Sequence, residues 1–89
     1  MVGGSGRSVT DYVSGSVIRW RLLERLAERS RTPTELAMIE KKHVSHVSRA
    51  LSDLKARGLV EAMESNSRQK YYRATYQGLA LYYALSRAK

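Results

Sequence analysis

The chain has 89 residues, enough for one domain whose core is marginal without oligomerisation or a very regular fold, and too few for a second domain. Sixteen Lys and Arg against eight Asp and Glu give a formal charge of +8 and a pI near 10.2, which favours a polyanionic partner. Cysteine is absent, which excludes disulfides, a thiolate metal site and a Cys nucleophile.

A charge excess of this kind also fits a solubilising or ion-paired surface, so the placement of the charges has to decide. Residues 1–10, with Gly3, Gly4, Ser5, Gly6 and Arg7, read as a flexible arm whose arginine offers one phosphate contact. Apolar runs are only a few residues long, too short for a membrane span, and the start lacks the apolar core of a signal peptide. A cytoplasmic, nucleoid-associated protein is the expectation, with residues 11–89 as its single domain.

From Ser14 or Ser16 to Arg29, Ile18, Leu22 and Leu26 recur at spacing four, and Val17, Trp20, Leu23 and Ala27 widen the stripe. The pattern predicts a helix with two apolar faces, one for the core and one, carrying Trp20, for a second copy of the chain. Thr32, Pro33 and Glu35 then supply an N-cap, a first-turn proline and the third member of a capping box. The second helix continues through Leu36, Ala37 and Ile39 until Glu40, Lys41 and Lys42 mark a turn.

A third helix is predicted from about His43 to Arg57, with Val44, Val47, Leu51 and Leu54 as its buried stripe and Gly58 as its stop. Leu59 to about Glu64 and Lys70 to Thr75 have strand character, joined by the polar run Ser65 to Gln69 as a hairpin. Gly78 is then followed by Leu79, Leu81, Tyr82, Tyr83 and Leu85, a last helix whose apolar residues again cover more than one face. The expected fold is mainly α with a small β-hairpin (α+β), in the order helix, helix, helix, strand, strand, helix.

Winding the third helix at about 100° per residue sets Ser45, Arg49 and Ser52 opposite the apolar stripe, flanked by Lys42, His46 and Asp53. This face suits a major groove, because Ser, His and Arg carry donors for base edges and Arg49 matches guanine O6 and N7 bidentately. An ordinary solvated face is the alternative. What favours DNA is the position of this face after a capped helix and a tight turn, near the amides of its own helix start. Arg68, Gln69, Lys70 and Arg73 make the hairpin basic, as a phosphate or minor-groove grip or as charge protecting a sheet edge from aggregation.

His43 and His46 at i and i+3 have no Cys or clustered carboxylates to complete a tetrahedral set, so no metal or other cofactor is expected. His43 winds toward the core side of the first turn. The tyrosines 71, 72, 76, 82 and 83 suit core and dimer packing better than single-strand stacking. No nucleophile with a base, no Gly-rich phosphate loop and no paired carboxylates stand out, which speaks against an enzyme.

Thr32-Pro33-Thr34-Glu35-Leu36-Ala37, Ser45-His46-Val47-Ser48-Arg49-Ala50-Leu51 and Gly58-Leu59-Val60 together resemble archaeal winged-helix regulators of the ArsR and MarR type. The hairpin end Tyr72-Arg73-Ala74-Thr75 followed by Gly78 extends the likeness, which runs from about Arg19 to Leu85. The resemblance implies a homodimer joined through its first and last helices, with Val17, Trp20, Leu23, Leu81, Tyr82 and Leu85 as candidate interface residues. It implies third helices in successive major grooves of double-stranded DNA, wings on the flanking backbone, and transcriptional regulation as the function. Recognition contacts fall on Lys42, Ser45, His46 and Arg49, and wing contacts on Arg68 and Lys70. The turn carries Lys41 and Lys42 where such regulators usually have a Gly and an apolar residue, which leaves the first residue of the recognition helix open. The Cys and His metal-sensing motifs of some ArsR-like members are missing, and no small-molecule effector is evident. Two other functions remain to be weighed: a protein-interaction module in a transcription or chromatin assembly, and non-specific architectural DNA binding.

Overall fold

The structure, a computed structural model, describes residues 17–63 and 69–87. The arm at residues 1–10 and the wing residue Arg68 lie outside this range. Helix α1 spans Val17–Glu28, α2 Pro33–Glu40 and α3 Val44–Ala56; strands β1 (Val60–Met63) and β2 (Tyr71–Ala74) follow, and α4 (Tyr76–Arg87) ends the chain. The element order matches the sequence expectation.

Each boundary has a local cause. The Thr32 side chain accepts from the Glu35 amide at 3.1 Å while the Glu35 carboxylate accepts from the Thr32 amide at 2.9 Å, so the capping box is closed in both directions. At the other end of α2, Lys41 sits at φ 56°, ψ 47°, and the Lys42 amide bonds back to the Ala37 carbonyl at 3.0 Å. This is a Schellman-type closure with lysine in the left-handed position that glycine usually fills. Gly58, at φ 76°, closes α3 in the same way, with the Leu59 amide on the Leu54 carbonyl at 3.0 Å.

The core is one cluster: Leu22, Leu23 and Leu26 from α1, Leu36 and Ala37 from α2, Val47, Ala50, Leu51 and Leu54 from α3, with Leu59 and Val60. Val44, expected in the buried stripe, is 41% exposed, and Ala50 takes a place there. Val44 is the first residue of α3, before the helix has come under α1 and α2.

The two strands pair antiparallel, Val60 with Ala74 through Met63 with Tyr71. A third strand-like contact, not anticipated from sequence, forms where Arg31 exchanges backbone hydrogen bonds with Tyr72 at 2.8 and 3.1 Å. It anchors the α1–α2 connection to the hairpin, and the Arg31 side chain turns back to the Arg25 carbonyl and the Glu28 carboxylate.

The last helix starts earlier than the sequence pattern suggested. Thr75 caps it, its hydroxyl accepting from the Gly78 amide at 3.0 Å and donating to the Gly58 carbonyl at 2.7 Å. Gly78 therefore lies inside α4, not ahead of it, and is buried. A Cβ there would stand 2.0 Å from the Leu59 carbonyl oxygen and 3.3 Å from Leu23 Cδ1. This absent side chain lets α4 lie directly on α1, which corrects one interface expectation: Leu23 is fully buried inside the protomer and has no surface left for a second copy. Part of the second apolar face of α1 is likewise used internally, because Trp20 stacks on Tyr82 at 4.9 Å. Trp20, Leu81, Tyr82 and Leu85 are half-buried against the core, while Val17 is 76% exposed.

Candidate nucleic-acid interface

Two packed helices hold α3 in place. Its Val47, Leu51 and Leu54 are fully buried, so rotation about its own axis would expose three aliphatic side chains at about 2 kcal/mol each. That fixes the outward face: Ser45, Ser48, Arg49 and Ser52 form one exposed row, with His46 and Asp53 at its edge. Ser48 belongs to this row although it was not singled out from sequence; the same winding places it about 60° from Ser45.

The start of the helix is settled by His43, which is its N-cap and not a core residue. His43 Nδ1 accepts from the Ser45 amide at 3.3 Å and lies 2.9 Å from the Ser45 hydroxyl. Lys42 thus stands in the turn, one residue ahead of the cap, and the Ser45 side chain is engaged locally. The side chains of His46, Ser48, Arg49 and Ser52 make no hydrogen bond or ion pair with any described residue. Arg49 therefore presents its full guanidinium fork to the outside at the centre of the row.

On the hairpin, Lys70 and Gln69 are exposed beside the tip. Arg73 differs from the expectation of an open phosphate donor: its Nε lies 2.6 Å from Glu61 Oε2, across the register pair that joins the two strands. Cross-strand neighbours of opposite charge meet at this spacing whatever their role, so the alternation that put Arg73 on the outer face said nothing of its partner.

The turn is braced from below. Glu40, at the end of α2, has a side chain only 6% exposed and accepts from Arg25 Nε at 2.9 Å, with Arg21 Nε 3.7 Å away. The hydrogen bond to Glu40 raises the Arg25 guanidinium above its already high ordinary value, so this tie between α1 and α2 stays charged. A carboxylate at a helix C-terminus opposes the helix dipole, and the two arginines offset that conflict. The sequence pattern marks Glu40 only as part of a turn. Among the described residues no group of His, Asp and Glu is clustered as metal ligands would be, and no helix is long and apolar enough to cross a membrane.

A capped helix, a tight turn and a second helix with a polar outward row, followed by a hairpin, form a winged helix-turn-helix. The model of the bacterial regulatory protein, arsR family, matches residues 16–62, which runs from α1 into β1 and covers more than half of the chain. The chain belongs to the arsR family. Its helix-turn-helix is accordingly that of a DNA-binding transcriptional regulator. The archaeal shade of the resemblance rests on the sequence strings alone, since the family is described as bacterial.

No curated protein sequence matches the chain. Among solved structures, the transcriptional regulator BldR from Sulfolobus solfataricus is similar with a TM-score of 0.78 and 20% identity, over 89% of this chain and 62% of that one. MepR, a transcription regulator of the Staphylococcus aureus multidrug efflux pump MepA, is similar at 0.77 and 20% over 82% and 56%. ZitR of Lactococcus lactis is similar at 0.77 and 18% over 97% and 57%. Identities this low show the fold alone. The chain spans 56 to 62% of the length of these three structures.

Proposed function

We propose that this arsR-family chain binds double-stranded DNA sequence-specifically, inserting α3 into the major groove and reading base edges with Arg49, assisted by His46, Ser48 and Ser52. The observation that carries this reading is the exposed polar row centred on Arg49, in which Ser48, Arg49 and Ser52 have no partner among the described residues, opposite three fully buried aliphatic side chains. Lys42, Ser45, Gln69, Lys70 and Arg68 of the wing serve as backbone contacts, which position the protein without reading sequence. Arg73 contributes field more than contact, because Glu61 holds it. The protein acts in the cytoplasm by occupying its site, not by chemistry, and regulates transcription through that occupancy.

The reading includes a homodimer. The outer surface of α4 supports it: Tyr76, Ala80, Tyr83 and Ala84 are exposed along one side, and Tyr76 is 86% exposed. Aromatic and small residues on one stripe suit close helix-to-helix packing. This stripe, with Val17 of α1 and the half-buried Trp20, Leu81, Tyr82 and Leu85 behind it, replaces Leu23 as the interface. Two recognition helices would then meet half-sites about one helical turn, near 34 Å, apart.

Selection of bound sequences from a random duplex pool at near-physiological salt tests the proposal. An enriched inverted repeat with half-sites one turn apart is the expected result. Tight binding with no enriched sequence would point to architectural coating, and negligible, salt-insensitive duplex affinity to a protein-interaction module.

A further inference from the structure

The turn lysines border a cleft that shares Lys42 with the proposed backbone contacts and Val17 with the proposed dimer surface. Between the start of α1 and the end of α2 lies a cavity of about 390 Å³, within the range of small-molecule sites. Val17, Ile18 and Ile39 give it apolar walls, and Arg21, Lys41 and Lys42 give it cations. Glu40 also reaches it, but Arg25 hydrogen-bonds that carboxylate at 2.9 Å and matches its charge. Arg21 Nε stands 3.7 Å from the other Glu40 oxygen, beyond hydrogen-bond range, so the Arg21 fork keeps its donors. Lys41 and Lys42 have no ion-pair partner among the described residues.

Three cations, of which only Arg21 has an ion-pair partner, Glu40 at 3.7 Å and without a hydrogen bond, stand around apolar walls and call for a doubly charged head on an apolar body. A single carboxylate would leave most of that charge unmatched, whereas a phosphate takes a bidentate arginine and two ammonium groups together. Lys41 is also held in the left-handed conformation, which sets the direction in which its side chain leaves the backbone at the rim of the cleft. We propose that this cleft is a binding site for a small phosphate monoester with an apolar substituent. Lys41 and Lys42 lead directly into His43, the cap of α3, so a ligand tying the turn to Arg21 on α1 alters how the reading helix is presented.

The test is a titration of the ¹⁵N-labelled full chain with phenyl phosphate, inorganic phosphate and benzyl alcohol, without DNA, so that it stands or falls separately from sequence reading. Saturable shifts of the Val17 to Arg21 and Ile39 to Lys42 amides are expected, with phenyl phosphate binding at least about ten-fold more tightly than either control. Arg21→Gln and Lys41→Gln should each weaken it about three-fold, and together about ten-fold, with a single cooperative thermal unfolding transition retained to show that both fold. Equal affinity for phenyl and inorganic phosphate, or no effect of the two substitutions, would overturn the proposal. So would amides unmoved by phenyl phosphate while the double variant loses duplex affinity, which would make these cations contacts to the DNA backbone.

Discussion

Lys41 and Gly78 show how much of this fold turns on single backbone positions. Lysine at φ 56° carries the steric penalty of a left-handed residue, and glycine would remove it while adding some chain entropy to the unfolded state. Lys41→Gly is therefore expected to stabilise the protein by about 0.5–1 kcal/mol, read as a higher urea midpoint with an unchanged slope. At Gly78 the usual preference is reversed. Alanine is the better helix former by about 1 kcal/mol, yet its Cβ would meet the Leu59 carbonyl oxygen at 2.0 Å. Gly78→Ala should lose about 1–3 kcal/mol of stability, because α4 must lift from the Leu59 backbone to admit it, and denaturant unfolding measures the loss. The sequence showed the glycine but not the carbonyl 19 residues earlier that forbids anything larger.

At the scale of elements, what was legible was periodic or local. The capping box of α2 is written in Thr32, Pro33 and Glu35, and the stop of α3 in Gly58, because both devices are closed within a few residues. The face of α3 was legible from Val47, Leu51 and Leu54, which only one rotation can bury together. Pairings between distant residues were not: the Arg31–Tyr72 bridge, the Glu40–Arg25 tie and the Glu61–Arg73 pair each join elements whose proximity is a product of the fold. The wing illustrates the consequence. Composition made Arg73 and Lys70 equivalent, but Arg73 already has a carboxylate at 2.6 Å. Lys70→Ala is accordingly expected to weaken binding to every duplex alike and to reduce the salt slope of log K by about 1. A change confined to one preferred sequence would place Lys70 on a base instead.

For the whole molecule, the two surplus apolar faces seen in the sequence have separate fates. Much of the first is closed internally by α4, through Leu23 and the Trp20–Tyr82 stack, and the outer side of α4 remains open at Tyr76 and Tyr83. Periodicity could not separate these fates, since an apolar stripe reads the same whether it meets its own chain or a copy. Tyr83→Glu should shift a dimer to monomer in light scattering while lowering the monomer's melting temperature by only about 2–6 °C, the cost of the edge contact its half-exposed ring makes with Tyr82 at 5.3 Å.

The central claim is that α3 reads base sequence through Arg49. Its most direct test is a titration of wild type and Arg49→Ala against a pool-selected duplex and a scrambled duplex of equal length at one fixed salt concentration. The account predicts that Arg49→Ala loses about 1–3 kcal/mol on the selected duplex and much less on the scrambled one, so that the specificity ratio collapses. An equal, small loss on both duplexes would contradict it.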